Sequence, residues 1–182
     1  LGYTRITISD EESADVKLKW WQQCAMALCP CCINGPKAAF NDFIEQRAYM
    51  TFIFVTCVVH IILFAIELGV YGIAPLSENE LIGPSACALY KMGAKWTPDI
   101  VIRGEVWRLF SPIFLHGGIV HIILNLFAQL TVGFQCEYAW GTTGLTVIYL
   151  MSGIVGNILS AIGSPEKLSV GASGSILGLI GG

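Results

Sequence analysis

Between Leu109 and Pro165 a single formally charged residue, Glu137, interrupts the chain. It divides that region into two uncharged stretches of 28 residues, Leu109–Cys136 and Tyr138–Pro165. About twenty apolar residues cross a bilayer as a helix, so each stretch is long enough to span. A third run, Ala48–Ile66, has nineteen residues without a formal charge and is rich in Phe, Val and Ile. Hydrocarbon offers no partner to backbone N–H and C=O groups, which restricts such runs to helices or closed barrels. Composition agrees, with 54% hydrophobic and 13% charged residues and a mean hydropathy of +0.66. Soluble domains carry roughly 25% charged residues. The expected fold is an all-α, polytopic membrane helix bundle.

About four spans are expected. The first ends at Glu67 and Tyr71. Pro112 and Gly117-Gly118 break the start of the second stretch, so span two should begin near His116 or Gly118. Span three should run as helix from Gly144 to Ile162, paired with span two in a tight hairpin at Glu137. Span four begins near Ser169 and reaches Gly182 short of a full crossing, so the polypeptide is expected to be cut off there. Residues 1–47 read as a polar cytosolic tail and residues 48–182 as the membrane domain. In the tail, Trp20, Trp21, Met26 and Leu28 are placed to dip into the headgroup region. Residues 72–108 form a long loop, expected to rest its Leu89, Met92, Trp96, Ile100, Val101 and Ile102 on the membrane interface. Lys and Arg are too evenly divided to orient the bundle.

Several function classes fall away. No basic block or stacking-aromatic pattern points to nucleic acid. Zinc is not expected: His116 and His121 are five apart, and no carboxylate lies between Leu109 and Cys136. No cofactor is implied. No charged pore ring or inverted repeat favours a channel or transporter. Cys24, Cys29, Cys31 and Cys32 crowd just before span one, fitting either reversible palmitoylation or ordinary reduced thiols. The tail lacks the Arg-rich, acid-poor pattern of a mitochondrial transit peptide. The lipid bilayer is the one partner that composition itself implies.

Polar side chains within spans are costly and usually face a bundle interior. His121 and Asn125, spaced i, i+4, share a face of span two. Two donors aimed at one point can stabilise an oxyanion; equally, they can cross-link helices. His60, alone in span one, reads as a helix-to-helix hydrogen bonder. In span four Gly174, Gly178 and Gly182 form a ridge without side chains, open to close approach by another helix. Ser173, in the run G-A-S-G from Gly171, sits roughly 100° round from that ridge. A serine nucleophile needs an adjacent base, and the helix docked on the ridge is where one would be sought.

Taken together these motifs resemble the rhomboid family of intramembrane serine proteases, over about 105 residues from Gly83 onward. Trp107-Arg108 matches the family's loop W-R pair, and His116, His121 and Asn125 match its H-x4-H-x3-N. Glu137 and Gly141 match part of E-R-x-x-G, with Tyr138 in place of the arginine. Tyr149 and the run Ser152–Asn157 match the third span, and Gly171–Gly174 the nucleophile box. The resemblance implies that Ser173 is the nucleophile. His121 and Asn125 would line the oxyanion hole, and Trp107, Arg108 and His116 would order the loop. It implies a cytosolic tail and cleavage of single-span membrane proteins near the lumenal or extracellular face. A multi-pass protein of the secretory route or plasma membrane is expected rather than a mitochondrial one. The family's base histidine lies on a sixth span, and no histidine follows His121 here. The sequence is therefore expected to be inactive alone, or else to be a pseudoprotease or truncated isoform that holds client helices without cutting them.

Overall fold

A computed structural model describes residues 51–182. The proposed tail, its interfacial anchor and Cys24, Cys29, Cys31 and Cys32 lie outside the described residues. Apart from one isolated bridge between Lys95 and Ser169, the described residues are helix and turn: α1 (Phe52–Tyr71), α2 (Ala86–Met92), α3 (Thr97–Ile102), two short 3₁₀ turns, α4 (Ile119–Ala128), a π-helical turn (Gln129–Gly133), α5 (Phe134–Gly163) and α6 (Ser173–Gly181). Among the described residues, two helical segments are long and apolar enough to cross a membrane, Phe52–Tyr71 and the continuous Ile119–Gly163.

The second segment is folded back on itself. Gly141 takes φ 74° and ψ 159°, outside the helical region. The Tyr149 hydroxyl donates to Gln129 Oε1 at 3.3 Å. Twenty residues of straight helix would separate those side chains by about 30 Å. The hairpin therefore turns at Gly141, not at Glu137 as its charge suggested. Glu137 is buried one turn earlier, and its carboxylate accepts from the backbone N–H groups of Phe52 at 2.8 Å and Ile53 at 3.0 Å. Thr142 Oγ1 donates to the same carboxylate at 2.8 Å. The one charge between two spans thus caps the N-terminus of a third, where an anion meets the positive end of the helix dipole.

Of the two ends expected for the first span, Glu67 and Tyr71, the helix takes the second. The helix runs through Glu67 to Tyr71 and closes at Gly72, whose N–H donates to Leu68 O at φ 73°. Glu67 is wholly buried and does not stop the helix. Thr51 caps the other end by accepting from Phe54 N.

Burial is distributed as a bilayer requires. On α1, Val55, Val58, Ile61, Ile62 and Ile66 are exposed, whereas Thr56, His60 and Glu67 are buried. On α4, Ile123, Leu124 and Phe127 are exposed while Asn125 is buried. Apolar residues face outward and polar ones inward, the arrangement expected of helices solvated by lipid. A shared apolar core remains, built from Ile53, Ile113, Leu145, Tyr149, Ala172 and Ile176.

The long connection between α1 and α4 is structured by specific bonds. Arg108 is buried; its Nη1 donates to the carbonyls of Tyr90 (2.9 Å) and Ala94 (3.1 Å), and its Nε pairs with Glu105. Its guanidinium lies 4.6 Å from both the Tyr90 and Trp107 ring centroids. Trp107 in turn packs on Gly93, where an added Cβ would meet the indole at 2.4 Å. Of the apolar residues expected at the interface, Val101 and Ile102 are the most exposed and Leu89 is buried.

Candidate functional site

Ser173 is the first residue of α6, later than the start expected near Ser169. Ser169 instead exchanges both backbone hydrogen bonds with Lys95 (3.0 and 3.3 Å), stitching the segment before the serine to the long connection. Lys95 is fully buried, and its ammonium donates to the carbonyls of Ser160, Ser164 and Lys167 at 3.3, 3.0 and 2.6 Å. It thereby fills the carbonyl end of α5, which helices leave open. Burial pulls its pKa below the ordinary lysine value, and Glu166 partly opposes that shift. Tyr90 behaves oppositely: its hydroxyl donates to Asp99 Oδ2, which holds the phenol above its usual range.

Gly171 is the joint on which the geometry turns. Its φ of 123° is a conformation that side-chain-bearing residues rarely adopt. Its N–H donates to Pro112 O at 2.8 Å. A Cβ built there would lie 2.7 Å from His121 Nε2 and 3.8 Å from Ser173 Oγ. The imidazole edge and the hydroxyl therefore border the same small space, kept open by the absence of a side chain.

The orientation of His121 is set from its other side. Gly117 N–H donates to His121 Nδ1 at 3.3 Å. A neutral imidazole whose Nδ1 accepts must carry its proton on Nε2. The nitrogen turned towards Gly171 and Ser173 is then a donor. Gly117 is fixed by Asn79, whose Nδ2 donates to Gly117 O at 2.6 Å and Pro84 O at 2.8 Å. The first turn of α4 is capped by backbone: Ile119 N–H donates to Ile82 O, and Val120 N–H to Leu81 O. That approach is possible because a Cβ on Gly118 would fall 2.2 Å from Leu81 O. Gly118 stands where the sequence placed the start of span two; Asn79 escaped the sequence reading, since its role is visible only once the connection folds back.

Asn125 is buried and turns its amide back along its own helix, donating to His121 O at 3.0 Å. It lies one turn deeper than His121 on the same face. His116 is buried at the head of α4, with its ring edge-on to His121 at a centroid separation of 5.4 Å.

The glycine ridge is occupied by the second arm of the hairpin. Gly174 sits 3.7 Å from Gly156 Cα and 3.8 Å from Gly153 Cα, measured from its added Cβ. A Cβ on Gly178 would fall 2.0 Å from Ser152 Oγ, and one on Gly182 3.4 Å from the Trp140 ring. The docked face, Ser152, Gly153 and Gly156, offers no basic side chain, so the ridge does not supply the base sought there. Ser173 itself is exposed, as are Leu177 and Ile180 along the same helix. An open cleft of about 380 Å³ lies beside His121, lined also by Asn79, Leu81, Leu89, Gly117 and Val170.

Among the described residues no group of three or more His, Cys, Asp or Glu is placed to hold a metal ion. Comparison with known proteins gives the arrangement a context. Residues 103–182 match the family described as the Rhomboid domain. The chain is 41% identical over 111 residues to "RHOMBOID-like protein 6, mitochondrial" of Arabidopsis thaliana, covering 61% of this chain and 36% of that protein. It is 42% identical over 106 residues to "Rhomboid-like protease 1" of Toxoplasma gondii, covering 58% and 36%. To "Inactive RHOMBOID-like protein 8" of Arabidopsis thaliana it is 29% identical over 156 residues, covering 76% and 44%. The chain thus spans about a third of the length of these curated relatives. With this similarity running through the loop, the hairpin and the serine helix, the chain is a membrane protein of the rhomboid family.

Proposed function

We propose that this chain carries the nucleophile and oxyanion-binding part of an intramembrane serine endopeptidase acting on single-span membrane proteins. Ser173 Oγ attacks the scissile carbonyl. The Nε2–H of His121 and the Ser173 backbone N–H receive the negative charge that develops on the carbonyl oxygen, and Asn125 would join them through the amide N–H that it does not give to His121 O. The observation that carries this reading is the space at Gly171, bordered by both Ser173 Oγ and His121 Nε2. Trp107, Arg108 and His116 order the connection that holds His121. The base is a residue outside this sequence, which has no histidine after His121. It would reach Ser173 from the exposed face of α6, opposite the glycine seam. Cleavage takes place near the lumenal or extracellular face, in the secretory route or plasma membrane. Palmitoylation of Cys24, Cys29, Cys31 and Cys32 would add a cytosolic membrane anchor.

Fluorophosphonate labelling tests this. A full-length form should label at Ser173, and Ser173→Ala should abolish the label. The 182-residue chain alone should stay unlabelled. His121→Ala in the full-length form should slow labelling roughly a hundredfold or more, the usual effect of losing an oxyanion donor. Absence of any Ser173 label in a full-length form would overturn the assignment.

The second reading is a client-binding protein without peptidase activity. It is favoured by the similarity to a relative named inactive, which extends over more of this chain than the others. Its mark would be a single-span client that co-purifies equally with Ser173→Ala and yields no cleavage product.

A further inference from the structure

His60, His116 and Glu67 come from two separate places in the sequence and converge in the interior, with His116 beside His121. His60 and Glu67 are seven residues apart and share one face of α1. The His60 and His116 rings stand edge to face at a centroid separation of 4.9 Å. Glu67 Oε1 accepts from the His116 backbone N–H at 3.4 Å. All three side chains are fully buried. Yet both ring nitrogens of His60, both of His116 and Glu67 Oε2 have no hydrogen-bond partner. Each such orphan is costly, and intramembrane ionisable groups are usually kept for a function.

Counting donors and acceptors shows what is missing. Two neutral imidazoles bring two donors and two acceptors. Their edge-to-face approach lets one N–H of the pair meet one ring nitrogen of the other after rotation about the ring axis, an assignment that hydrogen positions leave free. The remaining N–H can then serve Glu67 Oε2. That still leaves one imidazole nitrogen bare and a buried carboxylate without a counter-charge. None of the ion pairs among the described residues reaches Glu67. One additional proton, drawn from water at the loop end, removes both defects. It converts the bare nitrogen to N–H and turns the anionic cluster into a neutral imidazolium–carboxylate arrangement.

We propose that His60, His116 and Glu67 form a proton-binding site inside the membrane domain, holding one proton in common. The titratable groups facing it are His121 from α4, 5.4 Å from the His116 ring, and Cys57, one turn before His60 on α1. Phe114, 5.8 Å from His60, closes the apolar side. The site stands independently of the serine reading, because it uses neither Ser173 nor any cleavage step.

The test is a pH titration of the full chain in lipid nanodiscs, following the imidazole ¹⁵N resonances of His60 and His116. In the wild type the two should shift together in one step. Glu67→Gln removes the counter-charge and should move that step about 1–3 pH units lower, the usual effect of losing an adjacent opposite charge. If that variant does not fold, His60→Asn serves: the His116 step should likewise move down, having lost the ring that shares its proton. Separate titration of the two histidines with midpoints unmoved by either variant would overturn the proposal. So would a stoichiometric bound metal that keeps their nitrogens from titrating.

Discussion

Two helix contacts in this molecule are built on opposite terms. Along the α5–α6 seam, Gly156 and Gly174 bring backbones into van der Waals contact, while Gly153 and Gly178 leave no room for a methyl group. Between α1 and the head of α4, large polar rings are buried with their nitrogens unpaired. The seam fixes position through shape alone, since lipid gives apolar helices no reason to associate beyond close packing. The histidine cluster does the reverse, placing costly groups where a leucine would pack more favourably. The seam sets where Ser173 stands; the cluster adjoins His121 through the His116 ring. A protein selected only for stability would have the first and not the second.

Substitutions should separate the two. Gly178→Leu should do most damage, because its side chain would enter the space held by Ser152. A loss of about 3 kcal/mol, the upper end for overpacked cores, should appear as a lowered midpoint in denaturation from mixed micelles. Gly171→Ala should come next. It forces a methyl group against the His121 ring at a left-handed backbone position, costing about 1–2 kcal/mol. In a full-length form it should also depress Ser173 labelling far more than it lowers stability. His60→Leu should be smaller still, within about 1 kcal/mol of the parent in the same assay. Replacing an unsatisfied polar group by an apolar one of similar size is often neutral. A loss as large as that of Gly178→Leu would mean that the cluster is structural, like the seam.

The smallest effect concerns Lys95, which belongs to neither contact. Its pKa in the folded chain lies below the ordinary lysine value because its ammonium is buried. The unfolded chain therefore binds the proton more tightly, and stability should rise as pH climbs from the folded value towards about 10.5. Thermal unfolding of the parent and Lys95→Met across that alkaline window should show the rise only in the parent.

Much of the architecture was legible in the sequence. Uncharged runs of 28 residues can do little but span, and the glycine ridge announced a close helix contact. Charges misled the boundary reading. Glu67 and Glu137 were taken as ends because a carboxylate is costly in lipid, but Glu67 accepts one backbone N–H and Glu137 two, all from other segments. Such partners are remote in sequence and leave no local pattern. The connection between α1 and α4 was read as a loop for a similar reason. Its order comes from Arg108, Asn79 and Lys95 reaching main-chain carbonyls far along the chain. Gly141 was singled out only by the E-R-x-x-G match; composition and periodicity around it do not show its left-handed backbone.

The most direct measurement is the distance between the two groups that meet at Gly171. Solid-state NMR of the chain in lipid, with Ser173 and His121 isotopically labelled, would read both their separation and the His121 tautomer. The account predicts a dipolar contact between Ser173 Cβ and the Nε2 edge of the ring, with the proton on Nε2 and none on Nδ1. A ring protonated on Nδ1, or no contact between the two side chains, would contradict it.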